Sequence, residues 1–194
     1  MAVPILERKA VRALAVPLDV EAYRELGNSG RISQRTELLA GVVVEKMSKN
    51  PLHATVVRRL FAVLADILQG RFLVTKEDPI TIAEVNSEPE PDIAIVDIAP
   101  GGYLDRHPTT AHLVVEVADT SVALDREKAR LYAAAHTSEY WLIDLGARTT
   151  TIYTEPTAAG YRRTRTVAAD ETLAPQCAPE FGVRLADLLA TEEA

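Results

Sequence analysis

The sequence has one cysteine, no long apolar run and few histidines, and each shortage excludes a class of protein. Cys177 is the only cysteine in 194 residues, so the chain forms neither an internal disulfide nor a cysteine zinc cluster. No apolar run approaches the roughly 20 residues that a helix needs to cross a bilayer. The four histidines are scattered, whereas a metal-dependent phosphatase with histidine ligands would be expected to have more of them.

Basic residues are also scarce relative to acidic ones. The chain has 21 Lys and Arg against 28 Asp and Glu, a formal charge of -7. A field of this sign does not attract nucleic acid, so any such contact would depend on local basic patches. The candidates are Arg58 with Arg59 and the group Arg162, Arg163 and Arg165. For both sets, a solvated surface is the simpler interpretation.

The length and composition indicate one globular domain. A hydrophobic content of 47% with 25% charged residues is ordinary for a chain of this size that buries a sizeable core. Residues 1–17 are predicted to be an N-terminal arm and residues 18–194 a single domain. The arm carries charges and lacks the apolar core of a signal peptide, so we expect a cytoplasmic protein with no membrane partner.

Predicted strands and helices interleave along the chain. Helices are expected at 20–26, 51–69 and 122–136, and a hairpin or bent strand at 37–47. Strands are expected within 71–83 and at 93–96, 113–117, 139–145, 149–153 and 161–167, and the segment 181–189 is expected to be a short strand and a terminal helical turn. This order predicts an α/β fold with a mixed central sheet flanked by helices.

Two carboxylates occupy positions in predicted core strands. Asp92 follows Pro91 and opens the apolar run 93–96, and Glu116 lies inside the apolar run 113–117. Buried acids are rare unless they are paired. Each could instead be a strand-end or edge residue that reaches water, and for either one alone that is the simpler explanation.

A lysine lies on the apolar face of the helix predicted at 122–136. Lys128 is four residues from apolar side chains on either side, a spacing that puts it on the same helical face. That face consists of Leu124, Leu131, Tyr132 and Ala135. Lys128 either extends past these neighbours to water or points inward. Because two buried carboxylates and an ammonium can satisfy one another, and paired carboxylates attract a hard divalent cation, the three charges together predict a metal site beside a lysine.

The arrangement of these residues resembles the PD-(D/E)XK nuclease superfamily, whose fold is that of type II restriction endonucleases. It is most similar to one branch, the Uma-two family of restriction-endonuclease-like proteins, over about residue 18 to the C-terminus. The residues that carry the resemblance are Glu37-Leu38-Leu39-Ala40-Gly41, Met47-Ser48, His53, Pro91-Asp92, Val114-Val115-Glu116-Val117, Asp125 with Lys128, Tyr132, and Glu139-Tyr140-Trp141-Leu142-Ile143-Asp144.

The resemblance implies a restriction-endonuclease-like version of the α/β fold and hydrolysis of DNA phosphodiester bonds. Asp92 and Glu116, with the carbonyl of Val117, would hold Mg²⁺ or Mn²⁺. Lys128 would orient the attacking water or offset negative charge. Glu37 would be a further ligand or orient one. The family also implies a homodimer with DNA as partner.

Two departures from the superfamily pattern bear on the site. The superfamily lysine lies two residues after the glutamate, where this chain has Ala118. The Uma-two branch places its lysine on the following helix, which is the position of Lys128. After Glu-Val the branch usually has a Leu-Ser-Pro-like continuation, whereas this chain has Ala118-Asp119-Thr120-Ser121. Asp119 adds a carboxylate to which the sequence assigns no role.

The sequence leaves two further residues open. Glu37 is either a site residue or an exposed residue at the start of a strand. His53, in the first turn of the helix predicted at 51–69, is either a core histidine bonded to a loop or a residue that faces the same cleft as Glu37 and Asp92.

Two functions therefore compete. The first is a metal-dependent DNA endonuclease of the PD-(D/E)XK type. The second is a non-catalytic nuclease-like module that keeps the fold and binds nucleic acid or a protein partner. A degenerate copy would be expected to lose at least one of Asp92, Glu116 and Lys128, and this chain keeps all three.

Overall fold

A computed structural model describes residues 9–12 and 14–190 of the chain. The rest of the predicted arm lies outside the described residues, including the start on which the cytoplasmic prediction depends. The helices are α1 (Lys9–Arg12), α2 (Val20–Asn28), α3 (Pro51–Ile67), α4 (Val122–Ala134) and α5 (Leu185–Leu189). The strands are β1 (Thr36–Leu39), β2 (Val42–Glu45), β3 (Leu73–Thr75), β4 (Ile93–Val96), β5 (Leu113–Ala118), β6 (Glu139–Asp144), β7 (Thr149–Thr157), β8 (Gly160–Ala168), β9 (Thr172–Leu173) and β10 (Val183–Arg184).

The central sheet has six strands in the order β3-β4-β5-β6-β7-β8. Strands β5 and β6 are parallel, and every other neighbouring pair in this sheet is antiparallel. A parallel pair needs a crossover, and α4 supplies it. The predicted mixed α/β sheet flanked by helices is confirmed.

Both faces of the sheet are covered, which explains the continuous apolar runs of β4, β5 and β6. On one face α3 and α5 pack through residues such as Val56, Leu60 and Leu188. On the other face α4 packs through Ala129 and Tyr132. Alternate residues of each central strand enter the two cores.

Side-chain caps fix the starts of α2 and α3. Asp19 caps α2 by accepting a hydrogen bond from Ala22 N at 2.8 Å. Asn50 caps α3 by accepting from His53 N at 2.8 Å, and Pro51 follows at the first helical position. Helix α2 runs past its predicted end at Leu26, through Gly27 to Asn28.

Strands β1 and β2 form a hairpin outside the central sheet. Its two-residue turn has positive φ at both Ala40 (49°) and Gly41 (78°), as a type I′ turn requires. Leu38 forms an isolated bridge with Glu88, and this fixes the hairpin against the segment that leads into β4. A side chain at Gly41 would overlap Pro17, whose Cβ would lie 2.2 Å from the new Cβ.

Most of the strand expected within 71–83 is irregular. Only Leu73–Thr75 pairs with β4 as a strand, and a 3-10 turn follows at Ala83–Val85. None of the helices within residues 9–12 and 14–190 combines the length and the apolar character that a membrane span requires.

Candidate active site

Asp92 lies at the point where the chain enters β4, directly beside β5. The antiparallel register pairs Ile93 with Val115, so the preceding residue on β4 lies next to Glu116. Asp92 Oδ2 accepts a hydrogen bond from Val117 N at 2.8 Å. This bond ties the aspartate to the strand that carries the glutamate, and the two predicted acids are neighbours.

Two cationic or protonatable side chains face Asp92. His53 Nε2, on the first turn of α3, lies 3.0 Å from Asp92 Oδ2, and Lys49 Nζ lies 3.1 Å from Oδ1. Burial opposes ionisation of Asp92, but the bonds from His53, Lys49 and Val117 outweigh it and lower the pKa of this carboxyl below its usual value. Asp92 is therefore a carboxylate at neutral pH.

Glu116 is buried inside the strand, with 4% of its surface exposed. Its Oε1 accepts from Lys128 Nζ at 3.1 Å and from Tyr132 OH at 2.8 Å, both on α4. Burial raises its pKa to about 8, since the favourable charge of Lys128 is countered by nearby acids. Two carboxyl groups that differ this much in proton affinity face one site.

Lys128 points inward from α4, which confirms the orientation predicted from helical spacing. Its Nζ lies 2.9 Å from Glu37 Oε1, 3.1 Å from Glu116 Oε1 and 3.6 Å from Asp125 Oδ1. Burial alone would favour the neutral amine, but these three carboxylates raise the pKa of Lys128 above its usual value. The ammonium is shared among three acids.

The rest of the predicted inner stripe of α4 is only partly correct. Tyr132 and Ala135 are buried, while Leu124 and Leu131 are only half-buried. Asp125 takes their place on the inner face, with 4% exposed, and accepts from Ser121 Oγ. Polar residues replace apolar ones here because the first turns of α4 cover the acids and not the apolar core.

The hairpin brings Glu37 into the same cluster. Glu37 has 4% of its surface exposed, so the interpretation as an exposed strand residue is wrong. Its Oε2 accepts from Glu90 N at 3.2 Å, and its Oε1 faces Lys128. The hairpin is fixed against the chain just before Asp92, and this places its carboxylate at the site.

The side chains of this cluster line a cleft of about 360 Å³. All seven residues singled out from the sequence line it: Glu37, His53, Asp92, Glu116, Val117, Asp119 and Lys128. Asp119 is exposed and accepts from Asn50 Nδ2 at 2.7 Å, which links the end of β5 to the N-terminus of α3. Asp119 thus has a structural partner.

The sequence did not single out Lys49 as part of the site, although Lys49 contacts Asp92. Lys49 lies in the loop between β2 and α3 and also approaches Glu77 Oε1 at 3.0 Å. A loop lysine has no periodic pattern that reveals its direction, so no sequence signal identifies it.

Asp125, which we noted beside Lys128 as part of the family resemblance, carried a signal in its spacing of three residues from Lys128.

The predicted basic patches lie outside this cleft. Arg59 Nη1 donates to the carbonyl of Leu188 at 2.9 Å, and Arg163 pairs with Glu155 at 3.3 Å. Neither set of arginines lines the cleft, whose basic residues are Arg35, Lys46, Lys49 and Lys128.

The donor set suits a hard divalent cation. Within the described residues, no three His, Cys, Asp or Glu side chains form a ready-made metal-binding group. Mg²⁺, however, binds through one or two carboxylates and keeps several waters. Four buried carboxyl groups and one buried ammonium line the cleft: Glu37, Glu116 and Asp125 contact Lys128, and Asp92 lies beside Glu116. An added cation would offset this excess of negative charge.

Among the solved structures of similar fold is one that matches over nearly all of its length. It is the crystal structure of a protein from Anabaena variabilis ATCC 29413 that is described as "a putative nuclease belonging to DUF820". The TM-score is 0.75 and the identity is 17%, over 89% of this chain and 98% of that one. At this identity the likeness shows a shared fold. None of the curated proteins compared with the chain is significantly similar to it.

The sequence itself matches a protein family. A family model described as "Putative restriction endonuclease" matches residues 20–188, which is most of the chain. The resemblance noted from the motifs is thereby confirmed, and the protein belongs to the Uma2 (Uma-two) family.

Proposed function

We propose that the protein is a Mg²⁺- or Mn²⁺-dependent DNA endonuclease that hydrolyses phosphodiester bonds in the cleft between α3, β5 and α4. The observation that carries this proposal is the convergence of Asp92, Glu116 and Lys128 at one end of β4 and β5. These residues come from separate elements and are buried with unlike charges. Such an arrangement adds little net stability, and it is typical of functional sites.

Asp92 and Glu116 would hold the metal, with the carbonyl of Val117 as a third oxygen. When bound, the metal lowers the pKa of a water and offsets charge that develops on the phosphate. His53 and Val117 N hold Asp92 Oδ2 in place, and Tyr132 holds Glu116 Oε1. These bonds preorganise the two carboxylates.

Lys128 supplies positive charge at the base of the cleft. It is buried, so its field is weakly screened and adds to the stabilisation of a negatively charged transition state. Glu37 and Asp125 anchor the ammonium from two other sides. In this proposal Glu37 acts through Lys128 and orients it.

Residues 18–194 are proposed as one domain, and a homodimer and a cytoplasmic location stay predictions. The alternative is a non-catalytic module that binds nucleic acid or a protein. The partial neutralisation of the cluster favours this alternative, because Lys49 and Lys128 balance part of the acidic charge without any metal.

The test begins with metal binding, which requires no knowledge of the target sequence. Thermal unfolding of the wild type, Asp92→Asn and Glu116→Gln is followed across a Mn²⁺ titration, with Arg163→Gln as a control outside the cleft. Ligand that binds only the folded state raises apparent stability, by about 2.7 kcal/mol at 100 times Kd. We expect stabilisation of the wild type and the control and its loss in both site variants.

Cleavage is then assayed on supercoiled plasmid and on single- and double-stranded oligonucleotides. We expect metal-dependent cleavage by the wild type, and none by Asp92→Asn or Glu116→Gln. Binding of DNA or a protein without cleavage by any form would support the alternative. A wild type that neither gains stability at millimolar metal nor cleaves would contradict the nuclease.

A further inference from the structure

The two oxygens of Asp92 have different surroundings. Oδ2 faces His53 Nε2 at 3.0 Å and Val117 N at 2.8 Å, donors held by α3 and β5. His53 is buried, and its other ring nitrogen, Nδ1, has no hydrogen-bond partner among the described residues. Both donors belong to packed elements, so Oδ2 is committed to the protein. A cation can therefore reach this carboxylate only through Oδ1.

Lys49 Nζ already occupies that approach. It lies 3.1 Å from Asp92 Oδ1 and 3.0 Å from Glu77 Oε1. The Lys49 side chain is 38% exposed and that of Glu77 is 42% exposed, whereas the Asp92 side chain is 7% exposed. The ammonium thus closes the solvent side of a buried carboxylate. It does so from a loop and not from a helix or strand.

We propose that Lys49 is a displaceable substitute for the metal at Asp92: its ammonium neutralises the carboxylate in the metal-free protein, and a divalent cation binds by displacing it from Oδ1. The inference rests on the proposed function, because it assumes a metal site at Asp92 and Glu116. It adds a residue that regulates metal affinity, acting through Asp92.

The two other lysines of the cleft differ in the features that matter. Lys128 is buried and contacts three acidic side chains, so its displacement would leave them buried without a compensating charge. Lys46 lies in the same loop region and lines the same cleft, but it pairs with Glu90 and not with Asp92. Lys46 is therefore a matched control for charge in the cleft.

The first test compares Mn²⁺ affinity, measured by calorimetric titration, in the wild type, Lys49→Met and Lys46→Met. Removal of the competitor is expected to tighten binding by Lys49→Met roughly tenfold, within the range of measured couplings between sites. Lys46→Met should change affinity little. In the absence of metal, Lys49→Met should melt at a lower temperature than the wild type, because Asp92 is left with less compensating charge.

The second test needs no variant. The wild type is treated briefly with an amine-acetylating reagent with and without saturating Mg²⁺, and each lysine is quantified by mass spectrometry. Metal should speed acetylation of Lys49, because a side chain displaced from Asp92 Oδ1 is more accessible to the reagent than one held against that carboxylate. The rate at Lys46 should stay the same.

The outcomes separate the two proposals. Suppose that the wild type binds metal but Lys49→Met binds it no more tightly, or that saturating metal leaves the acetylation rate of Lys49 unchanged. Either result overturns the role of Lys49 and leaves the metal site standing. Equal tightening in Lys46→Met would also overturn it, since only the general charge of the cleft would matter. If neither the wild type nor Lys49→Met binds Mn²⁺, both proposals fail.

Discussion

Lys128 Nζ lies 3.1 Å from Glu116 Oε1 and joins α4 to the central strand β5 inside the protein. The same ammonium also faces Glu37 and Asp125, so one positive charge compensates several buried acids. Folding and the proposed chemistry depend on this one group, and the variants that test it must separate the two.

Loss of the Lys128 charge is expected to destabilise the fold strongly. Lys128→Met leaves buried carboxylates uncompensated, which typically costs about 3–5 kcal/mol. The double variant Lys128→Met/Glu116→Gln also removes an ionisable partner of Lys128 and should lose less than the sum of the two single changes. Urea denaturation of all four forms measures the coupling. Strict additivity would show that the pair does not interact.

The stability of the wild type is expected to fall as pH rises through neutrality. The pKa of Glu116 is raised from 4.5 to about 8, so between these values the folded state binds a proton that the unfolded state has released. Stability conferred by this group is complete below pH 4.5 and is lost as pH approaches 8. Burial raises the pKa of Asp125 as well, in the same direction.

Glu116→Gln tests this pH dependence, because it keeps the shape of the side chain and cannot titrate. Its free energy of unfolding should vary less between pH 6 and 9 than that of the wild type. The lowered pKa of Asp92 acts only in acid and does not overlap this window. Parallel pH profiles for the two proteins would contradict the assignment to Glu116.

Metal affinity is expected to rise with pH over the same window. A carboxyl group must lose its proton to bind a cation, so Mn²⁺ has to displace the proton of Glu116 below about pH 8. The apparent Kd should decrease by up to about tenfold per pH unit until it levels off. Calorimetry in buffers of different ionisation enthalpy should show proton release at pH 7. Binding that is independent of pH would mean that Glu116 is not a ligand.

Asn50 is expected to contribute twice, as the cap of α3 and as the partner of Asp119. Its Oδ1 accepts from His53 N and its Nδ2 donates to Asp119. Asn50→Ala should cost about 1 kcal/mol of stability through the lost cap. Asn50→Ser keeps a capping oxygen and should recover most of that loss. Thermal denaturation of the wild type and both variants separates the two roles of Asn50. Equal losses of stability in Asn50→Ala and Asn50→Ser would assign the effect to the contact with Asp119.

The strand and helix pattern was predictable because it is local. Apolar runs identified β4, β5 and β6, and helical spacing placed Lys128 on the inner face of α4. The same spacing rule overestimated the burial of Leu124 and missed the burial of Asp125, since it assumes that every inward position is apolar. The rule fails where a helix covers a cluster of charges.

The sequence by itself determined most of the elements, their order and the inward direction of Lys128. Tertiary structure alone decided which charges meet. Asp92 faces His53 and Lys49, and Lys128 faces Glu37, because a separate hairpin, an antiparallel pairing and a parallel crossover bring distant segments together. The periodicity of each segment carries no information on that pairing. The free energy that selects it comes from burying both faces of the sheet at once.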